Sequence, residues 1–146
     1  MNYPSRAAHP ALSALLASAL LAVSVYPGLA SAQQVKVTLS GDQEVPAVKT
    51  AGAGTGTITV AADKSVSGSV TTTGVAGTMA HIHEAAPGKN GPVVIPLSKS
   101  GDSTWSVPAG AKLTDAQFSS FKAGNLYVNV HSAANQGGEV RGQLKP

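Results

Sequence analysis

Hydrophobic and polar residues alternate one by one along several short stretches of the chain beyond residue 32. Val35, Val37 and Leu39 take the hydrophobic positions of the first stretch, and polar residues stand between them. The alternation recurs over 54–61 and 65–73, which a short turn joins as a predicted hairpin. A period of two places every second side chain on the same face of an extended strand. The pattern therefore predicts half-buried β-strands joined by tight turns.

Five further stretches with strand features bring the predicted number of strands to eight, namely 78–84, 93–97, 104–107, 125–132 and 138–144. Eight short strands at regular spacing are typical of a β-sandwich or a β-barrel. A chain of 146 residues is long enough for one domain and too short for two sizeable ones. The predicted fold class is therefore all-β.

One segment departs from the period of two and predicts a short helix at about residues 113–123. Thr114 and Gln117 have the spacing of a capping box, in which each residue's side chain bonds the other's backbone N–H. Phe118 and Phe121 fall at helical intervals. We therefore expect a surface helix whose two phenylalanine rings cover an open end of the sandwich.

Residues 1–32 have the three parts of a secretory signal peptide. Arg6 precedes an apolar run over 11–25, and an Ala-Ser-Ala tripeptide ends at Ala32. The run is shorter than the ~20 residues that span a bilayer, although an uncleaved anchor helix is the alternative. We therefore predict cleavage after Ala32, a mature domain over 33–146 without a membrane span, and a periplasmic or extracellular location.

The composition excludes several classes of function. The net charge is only +3 and the basic residues are scattered singly, so we expect no nucleic-acid partner. The chain has no cysteine, which excludes disulfides, thiolate metal sites and a cysteine nucleophile. It has no G-x-S-x-G, phosphate-loop or H-E-x-x-H motif, so a hydrolase is unsupported. A globular, weakly charged domain remains.

Three histidines of the predicted mature domain lie on two predicted strands. His81 and His83 are two residues apart, so their imidazoles share one strand face, and His131 shares a face with Tyr127 and Asn129. If the two strands are neighbours, we expect the three rings to approach within ~4 Å of a common point. Three imidazoles on a rigid sheet suit copper or zinc, because borderline cations prefer neutral nitrogen donors, and copper is the predicted ion ahead of zinc. The alternative is that the histidines are surface or hydrogen-bonded strand residues.

Five other residues are candidates to support such an ion: Met79, Glu84, Asn129, Glu139 and Arg141. Met79 shares the face of the histidine pair and offers copper a soft axial ligand, with a packing role as the alternative. Glu84 follows the pair but points to the opposite strand face, unless the strand ends there. Glu139 and Arg141 share a face, which predicts either an ion pair between them or a guanidinium fork for an anion.

Four strings of the sequence carry a resemblance to a known family: LSGDQEVP at 39–46, AHIHEAAPGKNGPVV at 80–94, GNLYVNVHS at 124–132 and GGEVRGQL at 137–144. In content and order they resemble the CHRD domain, which is named after chordin and is frequent in exported bacterial proteins. The resemblance covers nearly all of residues 35–145.

The resemblance implies a fold and a metal. The fold is an immunoglobulin-like Greek-key β-sandwich, similar to that of copper/zinc superoxide dismutases. In those enzymes an H-x-H strand and a histidine of a later strand supply some of the copper ligands. His81, His83 and His131 match those positions by order and spacing. The chain lacks the fourth, bridging histidine, the zinc loop and the disulfide of those enzymes. Dismutase activity is therefore not predicted, while a copper-only redox site stays open.

The resemblance also implies a second class of function. Chordin sequesters extracellular signalling proteins, so the alternative to a metal site is a non-catalytic interaction module. Its partner would be an extracellular or periplasmic protein, bound through sheet edges or loops.

Overall fold

Eight β-strands and one α-helix make up the part of the chain that this computed structural model describes, which is residue 1 and residues 31–146. Most of the predicted signal peptide at 1–32 lies outside the described residues. No helix in the described part is both long and apolar enough to cross a membrane. The elements are β1 Gln33–Ser40, β2 Ala53–Val60, β3 Val66–Thr73, β4 Gly77–Glu84, β5 Val93–Lys99, β6 Thr104–Ser106, α1 Asp115–Lys122, β7 Leu126–Ser132 and β8 Val140–Leu144.

The strands form one antiparallel sheet that closes on itself as a barrel. Their order around the barrel is β1-β2-β3-β6-β5-β4-β7-β8, and β8 returns to β1. Strands β4, β5 and β6 are consecutive neighbours, and β7 returns to the other side of β4, which is a Greek-key connection. The join between β1 and β8 consists of one residue pair, Ser40 with Arg141.

This architecture confirms the predicted all-β class with eight strands and one short helix, and it corrects the predicted sandwich. A sandwich has two sheets with separate edges, whereas here paired residues bridge both edges, at Ser40 with Arg141 and at Lys99 with Trp105. The alternating pattern cannot distinguish the two architectures because both bury one face of every strand. The closing pairs join residues that are distant in sequence, so local periodicity carries no sign of them.

The hydrophobic positions of the alternating pattern fill the barrel interior. Val35, Val37 and Leu39 of β1 are all buried, and they meet buried residues of the other strands, such as Ile82 of β4 and Val128 of β7, in one continuous core. Burying an aliphatic side chain of this size stabilises the fold by ~1.5–3 kcal/mol. Because β4 and β7 turn their aliphatic residues inward, they turn their histidines outward.

The helix confirms the predicted capping box. Gln117 N–H donates to Thr114 Oγ1 at 3.2 Å, and Thr114 N–H donates to Gln117 Oε1 at 2.9 Å. The helix covers Asp115–Lys122, inside the predicted range. Phe121 is fully buried and Phe118 packs against the core. Gly124 follows with φ of 75°, a left-handed conformation that ends the helix.

Strand β7 departs from the pattern of one buried and one open face. All seven of its residues are buried, including the polar positions Tyr127, Asn129 and His131. Three loops bond to these side chains from outside: residues 41–48 to Asn129, residues 85–92 to Tyr127, and residues 133–139 to His131. The predicted polar outer face therefore exists, but loops cover it.

Candidate metal centre

The three predicted histidines meet on the outer side of β4 and β7. His81 and His83 lie on β4, and His131 lies on β7, one step diagonal from His81 because it pairs with Met79. Ring centroids are 4.9 Å apart for His81 and His131, 5.4 Å for His81 and His83, and 6.1 Å for His83 and His131. One ring nitrogen from each histidine lies within 4.8 Å of the other two, so the expected convergence is confirmed.

The closest approach within the trio joins His81 Nδ1 and His131 Nε2 at 3.0 Å. Two nitrogens bound to one ion by bonds of ~2 Å are about 3 Å apart. The spacing of this pair therefore suits two ligands of a single ion.

Backbone carbonyls orient two of the rings. Nδ1 of His131 bonds the carbonyl of Gln136 at 2.9 Å, and Nδ1 of His83 bonds the carbonyl of Gly91 at 2.9 Å. A carbonyl only accepts, so each of these Nδ1 atoms carries the hydrogen. The lone pair of His83 Nε2 is then unpaired, whereas His131 Nε2 accepts a hydrogen bond from His81 Nδ1 at 3.0 Å. Metal-bound histidines are commonly fixed by this kind of contact on the other ring nitrogen.

His83 supplies the most informative atom of the site. Its Nε2 is buried and has no hydrogen-bond partner, a condition that it shares, within residues 31–146, with Trp105 Nε1. Buried polar atoms are nearly always paired. An unpaired lone pair beside two other imidazoles fits a ligand position in a metal centre.

The surroundings of His81 and His83 favour the neutral, ligating form of these two side chains. Burial lowers the pKa of His81, and the neighbouring imidazoles of His131 and His83 lower it further. Burial also lowers the pKa of His83, and the hydrogen bond to Gly91 opposes part of that effect. Lower pKa values mean that fewer protons compete with a metal ion near neutral pH.

An aromatic ring and a cation flank His83. The Tyr127 ring stacks on the His83 ring with a centroid distance of 4.9 Å and an interplanar angle of 7°. The guanidinium of Arg141 lies 3.5 Å from the centroid of the Tyr127 ring. Arg141 is 1% exposed and donates to Asn90 Oδ1 at 3.3 Å and to Gln143 Oε1 at 3.2 Å. The charge beside the site is therefore buried and fixed.

Sequence reasoning missed one member of this region, Glu44. Its carboxylate accepts a hydrogen bond from Asn129 Nδ2. Burial raises the pKa of Glu44 to about 7, against the opposing effects of the Arg141 charge and the Asn129 hydrogen bond. Glu44 belongs to the LSGDQEVP string that carries the family resemblance, which was the one available signal.

Of the predicted supporting residues, Asn129 and Arg141 lie in the region of the histidines. Met79 and Glu84 differ from each other in position. Met79 pairs with His131 in the β4–β7 register but is 49% exposed. Glu84 lies elsewhere, because its carboxylate accepts a hydrogen bond from Ser120 of α1 at 2.6 Å.

The predicted ion pair between Glu139 and Arg141 does not form. Glu139 precedes β8 and accepts a hydrogen bond from Thr50 at 2.8 Å, whereas Arg141 lies along the Tyr127 ring. Glu139 therefore lies outside the strand on which the shared face was predicted.

Comparison with known proteins identifies the family. The family model of the CHRD domain matches residues 35–144, which run from β1 to the end of β8. No curated protein and no solved structure gave a match. The predicted likeness to copper/zinc superoxide dismutases stays a prediction. The family match includes all three histidines and well over half of the chain, and the chain therefore belongs to the CHRD domain family, an extracellular type of domain.

Proposed function

We propose that this protein is an exported metal-binding domain that holds one copper ion through His81 Nδ1, His83 Nε2 and His131 Nε2. The observation that carries the proposal is the buried, unpartnered Nε2 of His83 beside two converging imidazoles. The carbonyls that orient His83 and His131 turn both Nε2 atoms toward the site. His83 Nε2 is unpaired there, and the ion would replace the proton that His81 Nδ1 shares with His131 Nε2.

The donor set favours copper. Neutral imidazoles suit borderline metals, and nitrogen sites bind Cu²⁺ more tightly than Zn²⁺. Met79 stands opposite His131 in the register and offers a weak sulfur ligand, which copper accepts more readily than zinc. Zinc is therefore the second choice for this site.

Metal titration of the purified full-length protein tests the proposal. We expect one equivalent of Cu(II) or Cu(I) to bind more tightly than Zn(II), with binding abolished in the triple variant His81→Ala, His83→Ala and His131→Ala. Glu84→Gln is the matched control, because Glu84 follows the pair but bonds Ser120 instead. Binding that survives in the triple variant, or none in the wild type, would contradict the proposal.

Export is part of the same proposal and has its own test. Amino-terminal sequencing of the protein recovered outside the cytoplasm should begin at Gln33, after the Ala-Ser-Ala tripeptide. A recovered protein that still starts at Met1 would contradict cleavage.

The CHRD match supports a second candidate, a non-catalytic interaction module of the cell exterior. Its binding surface would be the loops, because every strand of the described barrel already has a neighbouring strand on both sides. A failed metal titration together with capture of a periplasmic or extracellular protein would favour this candidate.

A further inference from the structure

We propose that Tyr127 is the positioning residue of the metal centre. The Tyr127 ring stacks on the face of the His83 ring. The Tyr127 hydroxyl bonds Gly91, whose carbonyl bonds His83 Nδ1. The inference rests on the proposed function for the role of the ion. Its contacts, however, are properties of the protein alone.

The first contact is the ring stack. Tyr127 and His83 face each other in the β4–β7 register, and their rings are nearly parallel at 4.9 Å. Stacking resists tilting of the His83 ring, but it does not distinguish the two orientations related by a 180° flip, because both present a ring face to Tyr127. The stack therefore fixes the plane in which Nε2 lies.

The second contact runs through the loop of residues 85–92. The N–H of Gly91 donates to the Tyr127 hydroxyl at 3.3 Å, and the carbonyl of the same residue accepts from His83 Nδ1 at 2.9 Å. A ring flip would replace Nδ1 by a carbon atom and break this bond. Tyr127 thus helps to place the carbonyl that decides which edge of the His83 ring faces the other histidines.

The Gly91 position tolerates little movement. A Cβ added there would lie 1.8 Å from the carbonyl oxygen of Glu84. The loop backbone is therefore pressed against the end of β4, and a side chain at this position would displace the carbonyl that His83 needs.

Arg141 completes the arrangement by fixing Tyr127. Strand β8 lies on the opposite side of β7 from β4, so Arg141 and His83 approach Tyr127 from different sides. Arg141 also donates to Asn90, the residue before Gly91. The tyrosine ring and the loop that it holds are therefore tied to one buried guanidinium.

Two tyrosine variants separate the ring from the hydroxyl. Tyr127→Leu removes both contacts, so we expect copper affinity of the full-length protein to fall by 10- to 100-fold, the usual range for a residue that orients a ligand. Tyr127→Phe keeps the stack, so we expect a loss of only a few fold and a cupric EPR spectrum close to that of the wild type. Phe121→Leu is the control for a lost buried ring: it should lower the melting temperature without changing the spectrum.

Nitrogen-15 NMR of the metal-free protein gives a readout that needs no ion. The wild type should show His83 with a slowly exchanging Nδ1–H, and Tyr127→Leu should show mixed tautomers. A wild type that takes up no metal overturns the proposed function, whereas the NMR comparison still tests the role of Tyr127. A Tyr127→Leu protein with wild-type tautomer, affinity and spectrum would overturn the inference. If Tyr127→Leu does not fold, a Tyr127→Phe protein whose His83 Nδ1–H exchanges as slowly as in the wild type would overturn the role of the hydroxyl.

Discussion

Two outer faces of the barrel follow the same alternating sequence pattern but differ in their exposure to solvent. The threonine face, on β1 to β3, presents Thr38, Thr55 and Thr71 side by side, and all three are exposed. The histidine face, on β4, β7 and β8, presents His131 and Arg141, which are buried beneath loops. The threonine hydroxyls are solvated, whereas His131 and Arg141 form hydrogen bonds with specific protein groups. The difference shows that the polar half of a β pattern can hide a second, polar interior.

Removing the buried cation should produce the largest difference between the faces. We expect Arg141→Ala to lower the free energy of unfolding of the metal-free protein by about 3 kcal/mol, because it strips Tyr127, Asn90 and Gln143 of a common partner. Lys36→Ala, an exposed cation on the threonine face, should change it by less than about 0.5 kcal/mol. Urea unfolding checks both values, and equal losses would erase the distinction.

Two adjacent glycines test how tightly the loops cover the histidine face. Gly138 has φ of 131°, and an added Cβ would lie 2.3 Å from Asn129 Nδ2 and 2.6 Å from the Glu44 carboxylate. We expect Gly138→Ala to lower the free energy of unfolding by about 2 kcal/mol. Gly137→Ala meets nothing within 4 Å and should cost much less. Thermal unfolding of the two variants provides the measurement, and similar costs would contradict a close-fitting cover.

The pH dependence of stability tests whether burial dominates at Glu44. The pKa of Glu44 is about 7 in the folded protein against an ordinary 4.5, so between these values the unfolded chain loses its proton first. Stability should therefore fall as pH rises from 4.5 to 7, then level off. Relative to Glu44→Gln, we expect the wild type to lose about 2 kcal/mol of unfolding free energy between pH 5 and pH 7. A gain with rising pH would show instead that attraction to Arg141 outweighs burial.

The threonine face should show the smallest effect. Thr55 is exposed at the centre of its row, so we expect Thr55→Ala to change the free energy of unfolding by less than about 0.5 kcal/mol. Urea unfolding beside Arg141→Ala gives the comparison. A loss above 1 kcal/mol would mean that this face also carries a network.

Local sequence patterns predicted the features that depend on residues close together in the chain. The alternation of Val35, Val37 and Leu39 predicted β1, and the spacing of Thr114 and Gln117 predicted the helix cap. The histidine trio was also within reach, because an H-x-H strand sets two rings on one face and β7 needed only to be a neighbour.

Contacts between distant loops and strands were out of reach. Glu44 bonds Asn129, which is 85 positions away in the chain. Glu139 bonds Thr50, which is 89 positions away, and not Arg141. Neither spacing has a period that a sequence displays. The same holds for the closure of the barrel at Ser40 and Arg141, since one pair of residues distinguishes a barrel from a sandwich there.

The long separations between contacting residues also set an order of events. His81 meets His131 across 50 positions, and the buried guanidinium that braces the centre comes from β8, the last strand. A nascent chain that lacks β8 has no guanidinium to hold the Tyr127 ring and the loop of residues 85–92. Under the proposed function, ion capture would then follow completion of β8, and the ion would come from the compartment in which the domain folds.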